Sequence, residues 1–173
     1  MRETAARRQA RGFTLVEMLV VVLIMGILAA TVGAKLQPSH RDVLRVEAGR
    51  LAQLFELAAQ EARITGSAIA WTSDGHGYEF WRQGGDDNWS EIRDDDLLRA
   101  RRLPQGMAIS QLRNEAGAAR SILRLQFSAG GSLSAFSMDL TLAGESYGIA
   151  ASPVGDLRIA PGQGETYGDM AAR

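Results

Sequence analysis

Cysteine is absent from these 173 residues, which excludes a disulfide framework and any thiolate metal site. Histidine occurs only as His40 and His76, far apart in the chain, whereas an acid–base or metal centre needs several converging groups. Neither a Gly-x-Ser-x-Gly elbow nor a phosphate-binding glycine loop is present. The most informative absence is of charge. From Met18 to Ala34 no side chain ionises, and the run ends only at Lys35.

What precedes that run is its opposite in character. Residues 1–12 carry Arg2, Arg7, Arg8 and Arg11 against a single acid, Glu3. The apolar stretch from Phe13 to Leu36 exceeds the ~20 residues that a helix needs to cross a bilayer. An ordinary cleaved secretory signal has a shorter apolar core and a small-residue site after it; Ala29-Ala30-Thr31 imitates such a site only loosely. The arginines are expected to remain cytoplasmic and the chain beyond Leu36 to lie outside, by the positive-inside bias.

Glu17 interrupts this apolar segment. A carboxylate there costs about 2.5–3.5 kcal/mol on insertion scales, so it requires either a partner or an escape to the nearby interface. Spacing favours a partner. Cleavage between Gly12 and Phe13 would create an α-amine four residues from Glu17, one helical turn away.

The basic leader, Gly12, Phe13, Glu17 and the apolar helix that follows resemble the class III signal of type IV pilins and type II secretion pseudopilins. The resemblance implies that a membrane prepilin peptidase cuts after Gly12 and methylates the amine of Phe13, and that Glu17 neutralises the N-terminal amine of a neighbouring subunit as helices pack into a fibre. Absence of cysteine departs from the many pilins that close a C-terminal loop with a disulfide. Removing residues 1–12 takes away a net charge of +3 and moves the formal charge from −1 to −4; a mildly acidic chain of this kind disfavours nucleic acid as a partner.

Pro38 biases Gln37 away from helical geometry, so a kink or pause is expected there. Beyond it, Leu44, Leu51, Leu54, Phe55, Ala58 and Ala62 recur at helical spacings, with Arg45, Gln53, Glu56, Gln60 and Arg63 largely on other faces. Gly66 suits a C-cap. The expected helix, nearly continuous from Phe13 to about Thr65, would be roughly 80 Å long at 1.5 Å per residue.

From Ser67 the period becomes two. Strands are expected at 68–72 and 77–82, joined by the turn Ser73-Asp74-Gly75-His76, then at 107–113, 122–128, 133–142, 147–151 and 156–160. Phe136, Met138, Leu140 and Leu142 alternate towards one core. Gly130-Gly131, Ala143-Gly144-Glu145 and Pro153-Val154-Gly155 mark turns. Residues 84–102 read as a charged loop, and the glycine-rich tail from Pro161 reads as mobile.

These elements predict an α+β fold, a ladle in which one long N-terminal helix is half membrane stalk and half amphipathic, the latter packed on antiparallel β-sheet. The expected organisation is a cleaved leader at 1–12, a transmembrane helix at 13–36, its amphipathic continuation at 37–66, a β-rich periplasmic domain at 67–160 and a tail at 161–173. Further residues sharpen the resemblance. Phe55 to Ala62, Gly66, Ile69, Trp71, Gly77 to Phe80, Leu98-Arg99 and Arg102 to Gly106 resemble the H-type minor pseudopilins of type II secretion. Phe127, Gly130 and Gly131 resemble that family's Phe-x-Pro-x-Gly turn, with Ala129 at the proline position. The implied partners are other minor and major pseudopilins, the prepilin peptidase and the inner-membrane secretion platform, with no cofactor.

In the exported domain the candidates for chemistry are few. Asp86, Asp87, Asp94, Asp95 and Asp96 suggest calcium, which takes six to eight oxygens, but no calcium-loop spacing is met, and such runs are usually solvent-facing. Trp71, Tyr78 and Phe80 suit the core. Trp81 is out of phase with Tyr78 and Phe80, so Trp81 or Trp89 is a candidate partner contact, aromatic residues being enriched at interface centres. Arg99, Arg101, Arg102 and Arg113 suggest a basic patch, which neighbouring aspartates would pair internally. Three functions remain open: a structural minor pseudopilin of type II secretion at the pseudopilus tip, a minor type IV pilin serving adhesion or DNA uptake, and a membrane-anchored periplasmic enzyme, against which the missing catalytic constellation counts.

Overall fold

A computed structural model describes residues 13–35, 39–114, 123–152, 154–164 and 166–172. The chain divides into two compact units, residues 1–38 and 39–173. The expected leader, including Gly12, and the expected kink at Gln37-Pro38 lie outside the described residues.

The first unit is the helix α1, Leu15–Lys35. Thr14 caps it: its Oγ1 accepts a hydrogen bond from the Glu17 backbone N–H at 3.3 Å, satisfying one of the donors that a helix start leaves free. Every side chain described from Phe13 to Ala30 is exposed. Among the described residues no helix is long and apolar enough to cross a membrane; α1 has described side chains only as far as Ala30.

The second unit opens with α2, His40–Thr65. This helix has an N-cap of its own. Ser39 Oγ accepts from the Asp42 N–H at 3.2 Å and donates to the Asp42 carboxylate at 2.7 Å. That hydroxyl holds the Asp42 carboxyl below the usual carboxylate range, and an acid in the first turn complements the helix dipole. Gly66 ends α2 at φ +64°, the left-handed geometry expected of a glycine C-cap. All six apolar positions expected on the inner face of α2 are buried, joined by Ala48 and by Glu47.

Among the described residues nine strands follow: β1 Ile69–Ser73, β2 Gly77–Gln83, β3 Trp89–Glu91, β4 Arg101–Arg102, β5 Met107–Asn114, β6 Leu123–Phe127, β7 Phe136–Leu142, β8 Glu145–Ala151 and β9 Leu157–Pro161. They form two antiparallel sheets rather than one. The first runs β3-β2-β1-β6, with β4 also on β2, and the second runs β5-β7-β8-β9. The segment at 84–102, expected to be loop, supplies β3 and β4. Both are too short, at three residues and two, to carry a period-two signal.

Turn chemistry follows the sequence closely. In the β1–β2 hairpin Asp74 Oδ1 accepts from the His76 and Gly77 N–H groups at 2.9 and 2.7 Å, and Gly75 takes φ +90°. Those backbone donors are the main cause that holds the Asp74 carboxyl low. Ala143 and Gly144 both have positive φ between β7 and β8, the two-residue turn that matches strand twist.

Both sheets contribute to one core beneath α2. Phe55 is fully buried and packs edge-on to Trp71 of the first sheet and to Phe136 of the second, with ring centroids at 5.4 and 5.6 Å. Strand β7 is buried on both faces, Ser137 and Asp139 included. The C-terminal tail explains this. Expected to be mobile, it instead forms α3, Tyr167–Ala171, closed by a Thr166–Asp169 capping box and anchored by buried Met170. The Gly164 N–H donates to both oxygens of Asp139, at 2.9 and 3.1 Å. A Cβ at Gly148 would lie 2.6 Å from the Met170 methyl, so the glycine there leaves room for the tail. Composition alone concealed this, because one methionine and a capping box outweigh the surrounding glycines.

The Phe127-to-Gly131 turn lies tight against α2. A Cβ on Gly131, at φ +74°, would fall 2.5 Å from the Ala59 carbonyl oxygen and from the Arg63 side chain, whereas one on Gly130 would meet only ordinary contact at 3.7 Å. Gly131→Ala is therefore expected to cost about 2 kcal/mol or more, combining left-handed strain of ~1–2 kcal/mol with overpacking. Urea denaturation of the detergent-solubilised protein measures this. Gly130→Ala serves as the near-neutral control, and equal stability of the two variants would refute the account.

Candidate functional site

The described part of the motif, Phe13 to Glu17, leads into the first turn of α1. Phe13 is 73% exposed and precedes the Thr14 cap, and Glu17 is the third helical residue, the last of the cap's Thr-x-x-Glu pattern. This spacing is a helix-start signature legible in sequence, and it gives Glu17 a local role besides any intermolecular one. Its side chain is exposed, so none of the described residues shields the carboxylate from a partner. Around it Leu15, Val16, Met18, Leu19 and Val22 are exposed on all sides. A helix apolar all round needs lipid or other helices to cover it.

In the second unit the expected candidates separate. Trp81 and Trp89 share the face of the first sheet opposite to Trp71, Phe80 and α2, because Trp81 pairs with Glu91 and Gln83 with Trp89 along one register. Neither is free-standing. Trp81 Nε1 donates to Thr72 Oγ1 at 2.9 Å, and the Arg124 guanidinium lies 4.9 Å from the Trp89 ring centroid, a cation–π geometry. Both rings are half-buried.

Two of the basic residues find acids, though not the neighbouring aspartates expected for them. Arg102 pairs with Asp74 at 3.1 Å, and Arg101 lies 3.5 Å from Glu47 on α2. Arg113 donates to the Gly164 carbonyl at 3.1 Å. Within the acidic run, Asp95 Oδ1 accepts from the Leu97 and Leu98 N–H groups at 2.7 and 3.1 Å, and Asp86 adopts φ +61°. Among the described residues no group of three or more acids or histidines is placed to hold a metal ion. His40 begins α2 and His76 sits in the β1–β2 turn.

Two features went unread in the sequence. Glu47 is buried on the inner side of α2, and the Tyr78 hydroxyl is buried without a hydrogen-bond partner. Glu47 falls three residues after Leu44 and four before Leu51 on the apolar stripe, so helical spacing places it inside and only its charge argues against burial.

A family model for the prokaryotic N-terminal methylation motif matches residues 7–33, and that for type II transport protein GspH matches residues 47–155. The chain belongs to the GspH family. A curated relative, type II secretion system protein H of Aeromonas hydrophila, is 26% identical over 106 residues, a match covering 60% of this chain and 58% of that protein. The matched region thus spans little more than half the length of that relative. The crystal structure of the minor pseudopilin EpsH from the type II secretion system of Vibrio cholerae superposes with a TM-score of 0.60 at 20% identity, covering 73% of this chain and all of that one. The type IV minor pilin FimU of Pseudomonas aeruginosa superposes at 0.50, with 16% identity, over 71% of this chain and 95% of its own. At such identities both likenesses are of fold, and that fold is the α+β pilin-like one. GspH membership is consistent with the Phe127–Gly131 turn: its final glycine is the one that α2 makes obligatory, whereas the proline position tolerates Ala129.

Proposed function

We propose that this protein is a structural minor pseudopilin of type II protein secretion, carried into the tip region of a periplasmic pseudopilus that helps to export folded proteins. The observation that carries the reading is the succession on one chain of the methylation motif at 7–33 and the GspH region at 47–155. In this reading residues 13–36 anchor the protein in the inner membrane with residues 1–12 on the cytoplasmic side and the second unit in the periplasm. A prepilin peptidase cleaves between Gly12 and Phe13 and methylates Phe13. The second unit supplies contacts to other pseudopilins, with Trp81 and Trp89 assigned to partner contact on the outward sheet face. A minor type IV pilin is the alternative. Its support is the FimU likeness, which is weaker than the EpsH likeness and concerns fold alone.

Glu17 is assigned to assembly. Placed in a helix apolar all round, its carboxylate attracts the Phe13 amine of a neighbour, and the attraction strengthens as the local dielectric falls, offset by the desolvation of both charges. The exposed positions of Glu17 on α1 and of Phe13 just before it support an intermolecular pairing.

Mass spectrometry of the protein purified from membranes is expected to find a methylated Phe13 as the first residue. Retention of residues 1–12 in cells with active peptidase, or cleavage near Thr31, would sink the proposal. Glu17→Ala is expected to leave protein level and membrane location unchanged while lowering crosslinking to sibling pseudopilins through α1, with a fall in secretion that periplasmic contacts temper. Undiminished crosslinks together with full secretion would remove Glu17 from assembly.

A further inference from the structure

Between α2 and the segment from Ile92 to Arg102 lies an open cavity of about 640 Å³, within the ~300–1,000 Å³ usual for ligand sites. Leu54 and Leu57 of α2 form its apolar wall. Opposite them Leu97 is 62% exposed, beside fully buried Leu98. The arrangement is built rather than incidental. Asp95 holds the backbone of both leucines, the Ile92 N–H donates to the Phe80 carbonyl at 2.9 Å and the Leu103 N–H to the His76 carbonyl at 2.9 Å. One leucine anchors the segment and the next is presented to the cavity.

The charge around this apolar wall is one-sided. Arg50, Arg99, Arg101 and Arg102 line it, against one acid, Asp96. Behind them the buried Glu47 meets Arg50 and Arg101 only through long contacts, both at 3.5 Å from Oε1, and its Oε2 has no hydrogen-bond partner. The two guanidinium groups, each with five N–H donors, are thus held in place without being saturated. Tyr78, only 2% exposed, also lines the cavity, and its hydroxyl is buried without a hydrogen-bond partner. Burial pushes its pKa up, so it stays protonated, able to donate.

We propose that this cavity is a docking site for an acidic, apolar peptide segment of a partner protein, its carboxylate held by Arg99 and Arg101 and its neighbouring apolar side chain laid against Leu54, Leu57 and Leu97. A guanidinium fork matches a carboxylate in a bidentate manner. A bare inorganic anion would satisfy the arginines yet leave the leucines uncovered. A nucleic acid strand would call for stacking aromatics along a basic track, whereas the cavity wall is aliphatic. The site lies wholly in the second unit and does not depend on the pairing assigned to Glu17.

The test uses the full-length protein in detergent and a fluorescein-labelled peptide of alternating leucine and glutamate, followed by fluorescence anisotropy. Saturable binding is expected, with Arg99→Glu and Leu97→Ser each weakening it about tenfold, the loss of one charge-assisted contact or one apolar contact. Both residues are exposed, so circular dichroism should remain unchanged. A leucine–lysine peptide should not bind. The proposal is overturned if that peptide binds equally, if a serine–glutamate peptide or inorganic phosphate binds as tightly as the leucine–glutamate peptide, if an oligothymidine is preferred, if both variants bind as the parent does, or if no saturable binding occurs.

Discussion

The second unit depends on the burial of one helix stripe by two sheets at once. Phe55 stands at the centre of that stripe, touching Trp71 and Phe127 from the first sheet and Phe136 from the second, at ring distances of 5.4, 6.0 and 5.6 Å. Truncating a buried phenylalanine typically costs about 3–5 kcal/mol, a large share of the ~5–15 kcal/mol that holds a domain folded. Because residues of α2 share one core with both sheets, the helix ties the two together. The constraint extends to the turn at Gly131, where α2 leaves no space for a Cβ, and to Ala48, Ala58 and Ala62, small residues fully buried along the same helix.

The two ends of the chain solve the problem of apolar surface in opposite ways. At the C-terminus a short helix with a single buried methionine packs on β8 and β9, and the Gly164 N–H compensates the otherwise buried Asp139 carboxylate of β7. At the N-terminus α1 leaves its apolar side chains exposed on every side. Covering them calls for lipid or neighbouring helices, and a single acid on such a surface is effective because so little else there can satisfy a positive charge.

How much of this could be read from the residues depended on whether the signal was periodic. The inner face of α2, from Leu44 to Ala62, repeats for five turns and was legible in full, as were the Asp74-Gly75 and Ala143-Gly144 turns, where backbone chemistry restricts the choice of residue. Strands β3 and β4 were missed because two or three residues define no period; their pairing on β2 is imposed by the strand they join. The tail was misread because glycine content outweighed Met170 in composition while Met170 outweighs the glycines in contact. At the motif, charge and spacing drew attention to Glu17 and a family resemblance to Gly12 and Phe13, yet the Thr14 cap, equally explicit in its Thr-x-x-Glu spacing, was passed over. Glu47 lies on the same stripe as Leu44 and Leu51 but was passed over because an acid is seldom buried, and Tyr78 was expected in the core although nothing in the sequence marked its hydroxyl as lacking a partner.

If the apolar surface of α1 alone ties this protein to lipid, the second unit should stand without it. Sedimentation velocity of a fragment comprising residues 39–173, with its thermal unfolding followed by circular dichroism, examines this directly. The account predicts a soluble monomer that unfolds in one cooperative transition, its α2 stripe covered by both sheets. An aggregated fragment, or one without a cooperative transition, would contradict it, because the core around Phe55 would then depend on the helix that precedes it.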